Sequence, residues 1–263
     1  MRLIIIGPGR AGGSMAIAST RAGHEIAGVL SRTPGHGYGP ELAWDVDLPE
    51  ADVALIAVRD DAISEVAGRL DGRVGRVGVV AHMSGFVPVM TLHGLQEAGT
   101  AVGGFHPLQS MPDAERGAAA LNGAHVGIDG DAFAIDTLTH LANSLGLEPF
   151  RLADEARPAY HAAAAAAANF VVTSLGVSSD LFRAAGVDPS VSEPLVRQAV
   201  SNVFEKGPAA SLTGPIARGD IETVIGHLTV AREVSEDVGR QFELMAEATT
   251  IRAGREQDLL KWK

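Results

Sequence analysis

Residues 3–12 read Leu-Ile-Ile-Ile-Gly-Pro-Gly-Arg-Ala-Gly, an apolar run of strand length followed by a glycine-rich turn. Glycine at position 7 allows a tight turn, and glycine at position 9 lets the backbone approach a pyrophosphate. Glycine at position 12 permits close packing of a following helix, whose N-terminus would face the phosphate. The pattern predicts a dinucleotide-binding loop made of Gly7, Pro8, Gly9, Arg10, Ala11 and Gly12. A glycine-rich turn in an α/β protein that binds something else is the alternative.

The rest of the first half alternates short β-branched runs with longer amphipathic stretches, which is typical of a mainly parallel sheet covered by helices. Strands are predicted at residues 2–6, 25–30, 52–58, 77–81, 100–105, 124–128 and 147–151. Helices are predicted between them at 10–22, 61–70, 88–98 and 131–145. We therefore predict an α/β Rossmann domain over residues 1–152.

From residue 153 the strand signal disappears, and long alanine-rich and amphipathic segments follow. The predicted helices span residues 154–185, 190–205, 208–218, 220–236 and 237–258. The predicted second domain, residues 153–263, is therefore all-α. Its alanine run at 162–168 would let another backbone come close, so we predict a homodimer built largely on this half.

Composition limits the classes of partner. The chain has 263 residues, 46% of them hydrophobic, which is enough for one large domain or two modest ones with a substantial core. Its net charge of −11 argues against nucleic acid or an anionic membrane as a partner and favours a small molecule. The first apolar run is too short for a membrane span or a secretion signal, so we predict a cytoplasmic protein.

The chain contains no cysteine, which excludes disulfides, thiolate nucleophiles and cysteine-ligated metal centres. The histidines outside the motifs discussed below show no metal-ligand spacing, and we predict no metal site. Any redox chemistry must therefore use an organic cofactor.

The second predicted strand ends at Ser31-Arg32-Thr33, where NAD-specific domains usually carry an acidic residue. A guanidinium and two hydroxyls can hold a 2′-phosphate, which a carboxylate would repel. These residues predict NADP(H), with an exposed turn arginine as the alternative; Arg10 could also pair with the phosphate. The third predicted strand ends at Ala57 and Val58, where such domains pass the nicotinamide ribose.

Polar residues follow two further predicted strands at the same edge of the sheet. Ser84 and Gly85 come after the strand at 77–81, and His106 comes after the strand at 100–105. Ligands bind at this carboxyl edge in open α/β sheets. Ser84 and His106 could position a carbonyl or carboxylate, and His106 could donate a proton near neutral pH. Each residue could equally satisfy a turn.

The helical half carries three further candidates. His161 and Asn169 are eight residues apart, which predicts one broad face of a helix. Asn169 lies among apolar neighbours and needs a partner, either the substrate or another helix. The segment that begins with Thr213 and Gly214 also carries Arg218, which could bind a substrate carboxylate with both guanidinium nitrogens or pair with Asp220.

Five motifs are spread over nearly the whole chain: the loop from Gly7, His-x-Ser-Gly at 82–85, His-Pro at 106–107, Tyr160-His161 with Asn169, and Leu-Thr-Gly-Pro-Ile-x-Arg-Gly-Asp at 212–220. Together they resemble the Rossmann-like proteins of unknown function that have a helical C-terminal domain. That group is similar to pyrroline-5-carboxylate reductase and to hydroxyacid dehydrogenases whose C-terminal domain resembles that of 6-phosphogluconate dehydrogenase. Some of its members serve as an alternative type of ketopantoate reductase in pantothenate biosynthesis.

The resemblance implies NADPH-dependent reduction of a small 2-oxo acid, with 2-dehydropantoate as the leading substrate. It implies that Asn169 and Ser84 hold the reacting oxygen. Arg218, or the backbone of residues 213–215, would then hold the substrate carboxylate, with Gly85 and His106 close by.

One position departs from the wider superfamily. Many members carry a lysine four residues before the helical asparagine as proton donor, whereas this chain has Ala165 there. The proton would then come from His106, from His161 or from a water held by Ser84, and we favour a histidine.

Two other functions remain open at this point. Reduction of a cyclic imine, as the likeness to pyrroline-5-carboxylate reductase suggests, needs no alkoxide donor, so the missing lysine would be harmless. A non-catalytic NADP-binding protein is the second. The sequence also leaves open a deazaflavin as the hydride source.

Overall fold

The computed structural model describes residues 1–262. It divides into two compact units, one of residues 1–165 and one that begins at Ala166. The predicted boundary at residues 152 and 153 is the point where the last strand gives way to helices.

The first unit is built on one sheet of eight strands in the order β3-β2-β1-β4-β5-β6-β7-β8. The strands are β1 (Arg2–Ile6), β2 (Glu25–Leu30), β3 (Glu41–Leu42), β4 (Ala51–Ile56), β5 (Val77–His82), β6 (Ala101–Pro107), β7 (His125–Gly130) and β8 (Glu148–Arg151). Neighbouring strands are parallel except for β6 and β7, which are antiparallel. The predicted α/β class with a mostly parallel sheet is confirmed.

Helices cover both faces of this sheet. They are α1 (Arg10–Arg21), α2 (Ile63–Leu70), α3 (His93–Glu97), α4 (Ala114–Ala120), α5 (Ala132–Ser144) and α6 (Arg157–Ala165), with 3-10 turns at Asp60–Ala62, Val89–Leu92 and Asp154–Ala156. In β1, Leu3 and Ile5 belong to one hydrophobic core, and Ile4 and Ile6 belong to the other. All four side chains are fully buried, as expected for a strand covered on both faces.

Two elements of the first unit were not predicted. β3 has only two residues, which is too short to show a periodic pattern. α4 is seven residues long and rich in alanine; the side chain of Asp113 caps its start by accepting from the amide of Arg116. The predicted helix at 88–98 is a 3-10 turn followed by the five-residue α3.

The second unit contains helices and no strand within the described residues 166–262. The helices are α7 (Val171–Ala184), α8 (Glu193–Lys206), α9 (Pro215–Arg218), α10 (Ile221–Val234), α11 (Glu236–Arg252) and α12 (Leu259–Trp262), with 3-10 turns at Pro189–Ser192, Ala209–Ser211 and Glu256–Asp258. Val224, Leu228 and Ala246 form its core with Trp262. The predicted helical second half is confirmed.

Two predicted helices of this half are interrupted. The helix predicted at 154–185 contains a π-helical segment, Ala166–Phe170, between α6 and α7. The helix predicted at 208–218 breaks before Pro215, because Gly214 adopts a left-handed conformation with φ of 88°. Because the π-helical segment includes Asn169, His161 and Asn169 are not separated by regular α-helical turns.

The stretch Asp154–Ala184 is long and apolar enough to cross a membrane by length and composition alone, and the mean hydropathy of its most apolar 18 residues is 1.4. Only 6% of its most apolar part is buried. Large apolar side chains are exposed along α7 and α8, among them Val172, Leu195 and Phe204. The second unit therefore presents an apolar surface that its own helices leave uncovered.

Candidate functional site

The glycine loop lies between β1 and α1, at the carboxyl edge of the sheet. Gly7 has a φ of 89°, and its amide donates to the carbonyl of Leu30 at 2.9 Å. A side chain on Gly12 would collide with the carbonyl oxygen of Gly7. The chain turns so tightly, and α1 packs so closely on the loop, that both positions require glycine.

The N-terminus of α1 carries the free amides that an anion needs. Its N-cap is Gly9, so no side chain accepts a hydrogen bond from the first-turn amides, and that turn has no acidic residue. These amides and the helix dipole favour a negative group at this end. Arg10, Ala11 and Gly12 form this turn. The loop therefore fits a pyrophosphate.

A cavity of about 620 Å³ opens beside the loop, within the first unit. It is lined by the predicted cofactor residues at 7–9, 31–33 and 57–58. The structure thus brings together the ends of β1, β2 and β4, as the sequence predicted.

Arg32 projects from the turn after β2. Its side chain is exposed, lines the cavity and makes no hydrogen bond or ion pair within residues 1–262. The amide of Thr33 donates to Oγ of Ser31 at 2.9 Å, which gives the turn its shape. An unpaired guanidinium between two hydroxyl residues suits a phosphate monoester.

The lining of the cavity also contains residues that were not predicted from the sequence. The guanidinium carbon of Arg69 lies 4.1 Å from the ring centroid of Trp44, and both residues line the cavity with His36. Trp44 follows Ser31 by thirteen residues, and no spacing motif predicts that the segment between them returns to the turn. An aromatic residue soon after the second strand was the available signal.

A second polar cluster lies at the ends of β5 and β6. Oη of Tyr160 is 2.8 Å from Nδ1 of His106, and the imidazole centroids of His106 and His161 are 6.0 Å apart. The ring of Phe86 packs 6.0 Å from that of His161. A side chain on Gly85 would come within 2.9 Å of both imidazoles. The predicted residues Gly85, His106 and His161 are therefore neighbours, joined by Tyr160.

Ser84 shapes the turn that carries Gly85. Its Oγ accepts from the amides of Phe86 and Val87 at 3.0 and 2.9 Å, and its carbonyl accepts from Nη1 of Arg157 at 3.0 Å. The hydroxyl proton remains available to a ligand.

Arg157 is fully buried at the start of α6. Its Nε donates to Oδ1 of Asp154 at 2.8 Å, and the same carboxylate accepts from the amides of Val89 and Met90. Nη2 of Arg157 has no hydrogen-bond partner within the described residues. The ion pair holds α6 against the loop after β5. The sequence does not predict a buried position for this arginine, because a charged residue in the first turn of a helix is normally exposed.

Burial keeps the side chains of His106, His82 and Tyr160 uncharged at neutral pH. Burial lowers the pKa of His106 to about 4, and the neighbouring His161 and Arg157 act in the same direction. Burial, with Arg157, also lowers the pKa of His82 to about 4, and burial raises the pKa of Tyr160 to about 12. A neutral imidazole is a weak acid, so the expectation that His106 donates a proton near neutral pH does not fit this environment.

The remaining candidates belong to the second unit. Asn169 lies in the π-helical segment and is exposed, and its side chain makes no hydrogen bond in the part of the chain that is described. The alternative of an interhelical hydrogen bond is therefore not seen. Thr213 is also exposed, and Gly214 precedes the first residue of α9.

Arg218 ends α9 and does not pair with Asp220. The side chain of Asp220 instead caps α10 by accepting from the amide and hydroxyl of Thr223, at 3.2 and 2.7 Å. The guanidinium of Arg218 is exposed, without an ion pair among residues 1–262.

In residues 1–262, no group of three histidine, aspartate or glutamate side chains is placed to hold a metal ion. The organic cofactor cavity and the Tyr160–His106 cluster are the two features that suit small-molecule chemistry.

Comparison with known proteins places the fold. Residues 124–249 match a family model described as a domain of unknown function, DUF2520. No curated protein matches the sequence. Among solved structures, a Bacteroides fragilis protein assigned as an NADP oxidoreductase is 21% identical, with a TM-score of 0.81 over 95% of this chain and 98% of that one.

Two further structures share the architecture. A Streptomyces aurantiacus imine reductase is 17% identical, with a TM-score of 0.70 over 99% of each chain. Plasmodium falciparum pyrroline carboxylate reductase with NADP bound is 12% identical, with a TM-score of 0.65 over 96% of this chain and 98% of that one. The predicted resemblance to Rossmann-like proteins with a helical C-terminal region is confirmed.

Proposed function

We propose that the protein is an NADP(H)-dependent reductase of a small carboxylate-bearing substrate. The observation that carries this proposal is the cavity beside Gly7, which joins an uncapped helix N-terminus to the unpaired guanidinium of Arg32. The first suits a pyrophosphate and the second a 2′-phosphate, and a dinucleotide with both groups is NADP(H).

Three groups of residues would hold the cofactor. The amides of residues 9–12 would bind the pyrophosphate, residues 31–33 the 2′-phosphate, and Ala57 with Val58 the nicotinamide ribose. When bound, NADPH supplies the hydride. The likeness in fold to a pyrroline carboxylate reductase with NADP bound supports this choice of cofactor.

The polar residues would bind and orient the substrate. Ser84 has a hydroxyl proton to offer the reacting oxygen or nitrogen, and the resemblance of the sequence motifs assigns the amide of Asn169 to the same role. The exposed guanidinium of Arg218, with the backbone of residues 213–215, would bind the carboxylate.

The chain must also supply a proton where a ketone is reduced. Ala165 provides none, and the low pKa of His106 argues against its imidazolium. The hydroxyl of Tyr160, hydrogen-bonded to Nδ1 of His106, can donate to a developing alkoxide, with His161 beside the pair as the other candidate.

Two substrates distinguish reduction of a ketone from reduction of an imine. The 2-oxo acid 2-dehydropantoate is the first to test, because the sequence motifs resemble those of alternative ketopantoate reductases. A cyclic imine such as pyrroline-5-carboxylate is the second, favoured by the folds of the reductases compared above and by the absence of the lysine.

The test is to incubate the protein with NADPH and each substrate, and with NADH in parallel, while following absorbance near 340 nm. We expect NADPH oxidation with one class. Arg32→Met should lower the affinity for NADPH and leave the affinity for NADH unchanged. Arg76 is an exposed arginine outside the cavity, so Arg76→Met should change neither affinity. Binding of NADPH without turnover of either substrate would favour the non-catalytic function. Failure to bind NADPH would contradict the proposal.

We also propose that a second copy of the chain covers the apolar surface of α7 and α8. Val172 and Leu195 are 70% and 69% exposed, and Phe204 is 87% exposed. Such a surface on a soluble chain marks an interaction site. A bilayer suits this surface poorly, since α7 carries Asp180 and Arg183 as an exposed ion pair.

Light scattering coupled to size-exclusion chromatography tests this assembly. We expect twice the 27.2 kDa chain mass, and a shift toward the monomer in Leu195→Glu with Phe204→Glu. Leu260→Glu, at an equally exposed position outside α7 and α8, is the control. A monomer, or flotation of the protein with lipid vesicles, would contradict the proposal.

A further inference from the structure

Trp44 lines the cofactor cavity and is held in place by contacts on several sides. The guanidinium of Arg69 stacks 4.1 Å from its ring centroid. Its Nε1 donates to the carbonyl of Ser31 at 3.0 Å, and its own carbonyl accepts from Nη1 of Arg73. The indole is half-buried and packs against the hydrophobic core on one face of the sheet.

Ser31 is therefore held through both its side chain and its backbone. Its hydroxyl accepts from the amide of Thr33, lies 2.8 Å from Nε2 of His36 and closes the turn on the carbonyl of Thr33. The indole of Trp44 fixes the Ser31 carbonyl. Arg32 lies between Ser31 and Thr33, which bond to each other. Because Trp44 holds Ser31, the position of the Arg32 backbone depends on Trp44.

The order of groups along the cavity tells which part of a dinucleotide reaches this wall. The pyrophosphate belongs at Gly9, and the ribose with its 2′ substituent belongs at residues 31–33. The group beyond that ribose is the adenine base. Trp44 and Arg69 line the same cavity as this turn, and Trp44 contacts Ser31, so a guanidinium face can stack on a purine bound there.

We propose that Trp44 is a positioning residue that couples the base-binding wall to the 2′-phosphate turn and so sets the preference for NADP over NAD. The inference rests on the proposed cofactor. Arg32 makes the contact with the phosphate, and Trp44 acts through it by holding Ser31. Arg69 completes the wall by covering the indole.

A double-mutant cycle between Trp44 and Arg32 tests this coupling. The probes are adenosine 2′,5′-bisphosphate and 5′-AMP, titrated calorimetrically into the full-length protein. Trp44→Phe keeps an aromatic ring but loses the N–H donor. Losing this one hydrogen bond should lower the affinity for the bisphosphate about threefold to tenfold and leave the affinity for 5′-AMP nearly unchanged.

In the Arg32→Met background, Trp44→Phe should cause no further loss of affinity for the bisphosphate. A residue that only supports the fold would weaken both probes equally and would cost the same with and without Arg32. Equal losses of that kind, or an unchanged bisphosphate affinity in Trp44→Phe, would overturn the inference. Failure of the parent protein to bind either probe would instead contradict the proposed cofactor.

Fluorescence provides a second readout that leaves Trp44 in place. The chain has two tryptophans, and Trp262 is buried in the second unit. In Trp262→Phe, Trp44 is the only tryptophan, and excitation at the red edge of its absorption avoids emission from Tyr38 and Tyr160. We expect its emission to change on saturation with 5′-AMP, and more weakly in the Arg69→Met background. An emission that stays constant at saturation would place the base elsewhere and overturn the inference.

Discussion

The phenolic oxygen of Tyr160 lies 2.8 Å from Nδ1 of His106, and the two rings meet edge to face at 5.5 Å. Burial favours the uncharged form of both groups, with a pKa of about 4 for His106 and about 12 for Tyr160. At pH 7 the pair is a neutral hydrogen-bonded acid beside Gly85. Such a pair can pass a proton to an alkoxide, while a cationic histidine at this position would lack solvation.

Replacing Tyr160 with Phe tests this role. We expect the kcat for a 2-oxo acid to fall about 100-fold, the lower range of the contribution from a positioned general acid. The loss should be smaller for a cyclic imine that arrives protonated. Affinity for NADPH, measured by titration, should not change. The chain's other tyrosine provides the control, because Tyr38→Phe lies outside the cluster. Equal kcat values in Tyr160→Phe and the parent would remove Tyr160 from the proton path.

The buried histidines make stability depend on pH. The pKa values of His82 and His106 are lowered from 6.5 to about 4 in the folded protein. As the pH falls from 6.5 toward 4, these histidines are protonated in the unfolded chain but stay neutral in the folded protein. Stability is therefore complete above pH 6.5 and falls below it, by up to about 1.4 kcal/mol per pH unit for each histidine.

Urea denaturation at a series of pH values measures this effect. The decline between pH 6.5 and 4 should be less steep in His106→Gln and in His82→Gln than in the parent. His140→Gln, at an exposed position without an ion pair among the described residues, is the control. The lowered pKa values would be wrong if all four proteins lost stability in parallel.

The sequence predicted the sheet and the cofactor loop well because both have local signals. Apolar runs of strand length mark β1, β2, β4 and β5, and the glycines at 7, 9 and 12 are adjacent in the chain. The two-residue β3 gave no such signal, since a single pair of residues has no period. α4 did carry one, because Asp113 precedes it in a capping position.

The second cluster could be predicted only in part. The ends of β5 and β6 meet because parallel strands share an edge, so Ser84 and His106 were expected there. Tyr160 and Arg157 reach the same place from α6, and no local pattern specifies how that helix packs. The π-helical segment likewise has no local signal, since alanine-rich sequence predicts a regular α-helix.

Gly85 leaves room for the two imidazoles. A Cβ at this position would lie 2.8 Å from Nε2 of His106 and 2.9 Å from Nδ1 of His161, closer than real contacts allow. Gly85→Ala should therefore push one ring away and reduce kcat at least tenfold, with NADPH affinity unchanged. Gly94→Ala, with open space around its Cβ, should keep full activity. Full activity in Gly85→Ala would show that the rings yield without consequence.

Arg157 should contribute more to stability than any exposed ion pair of the first unit. Its side chain is fully buried, and replacing it with Met leaves the carboxylate of Asp154 facing the loop amides without its cationic partner. Breaking a buried pair in this way costs about 3 kcal/mol or more. The pair of Arg2 with Glu25, at 3.1 Å, has side chains 43% and 60% exposed, and Arg2→Met should cost less than about 1 kcal/mol.

Urea denaturation of both variants compares the two costs directly. A second effect should accompany the loss in Arg157→Met, because the same guanidinium holds the Ser84 carbonyl. Amide hydrogen exchange should therefore accelerate across residues 84–90 in this variant and stay unchanged in Arg2→Met. If Arg157→Met were as stable as Arg2→Met and protected the loop equally well, packing rather than the ion pair would hold α6 against the sheet.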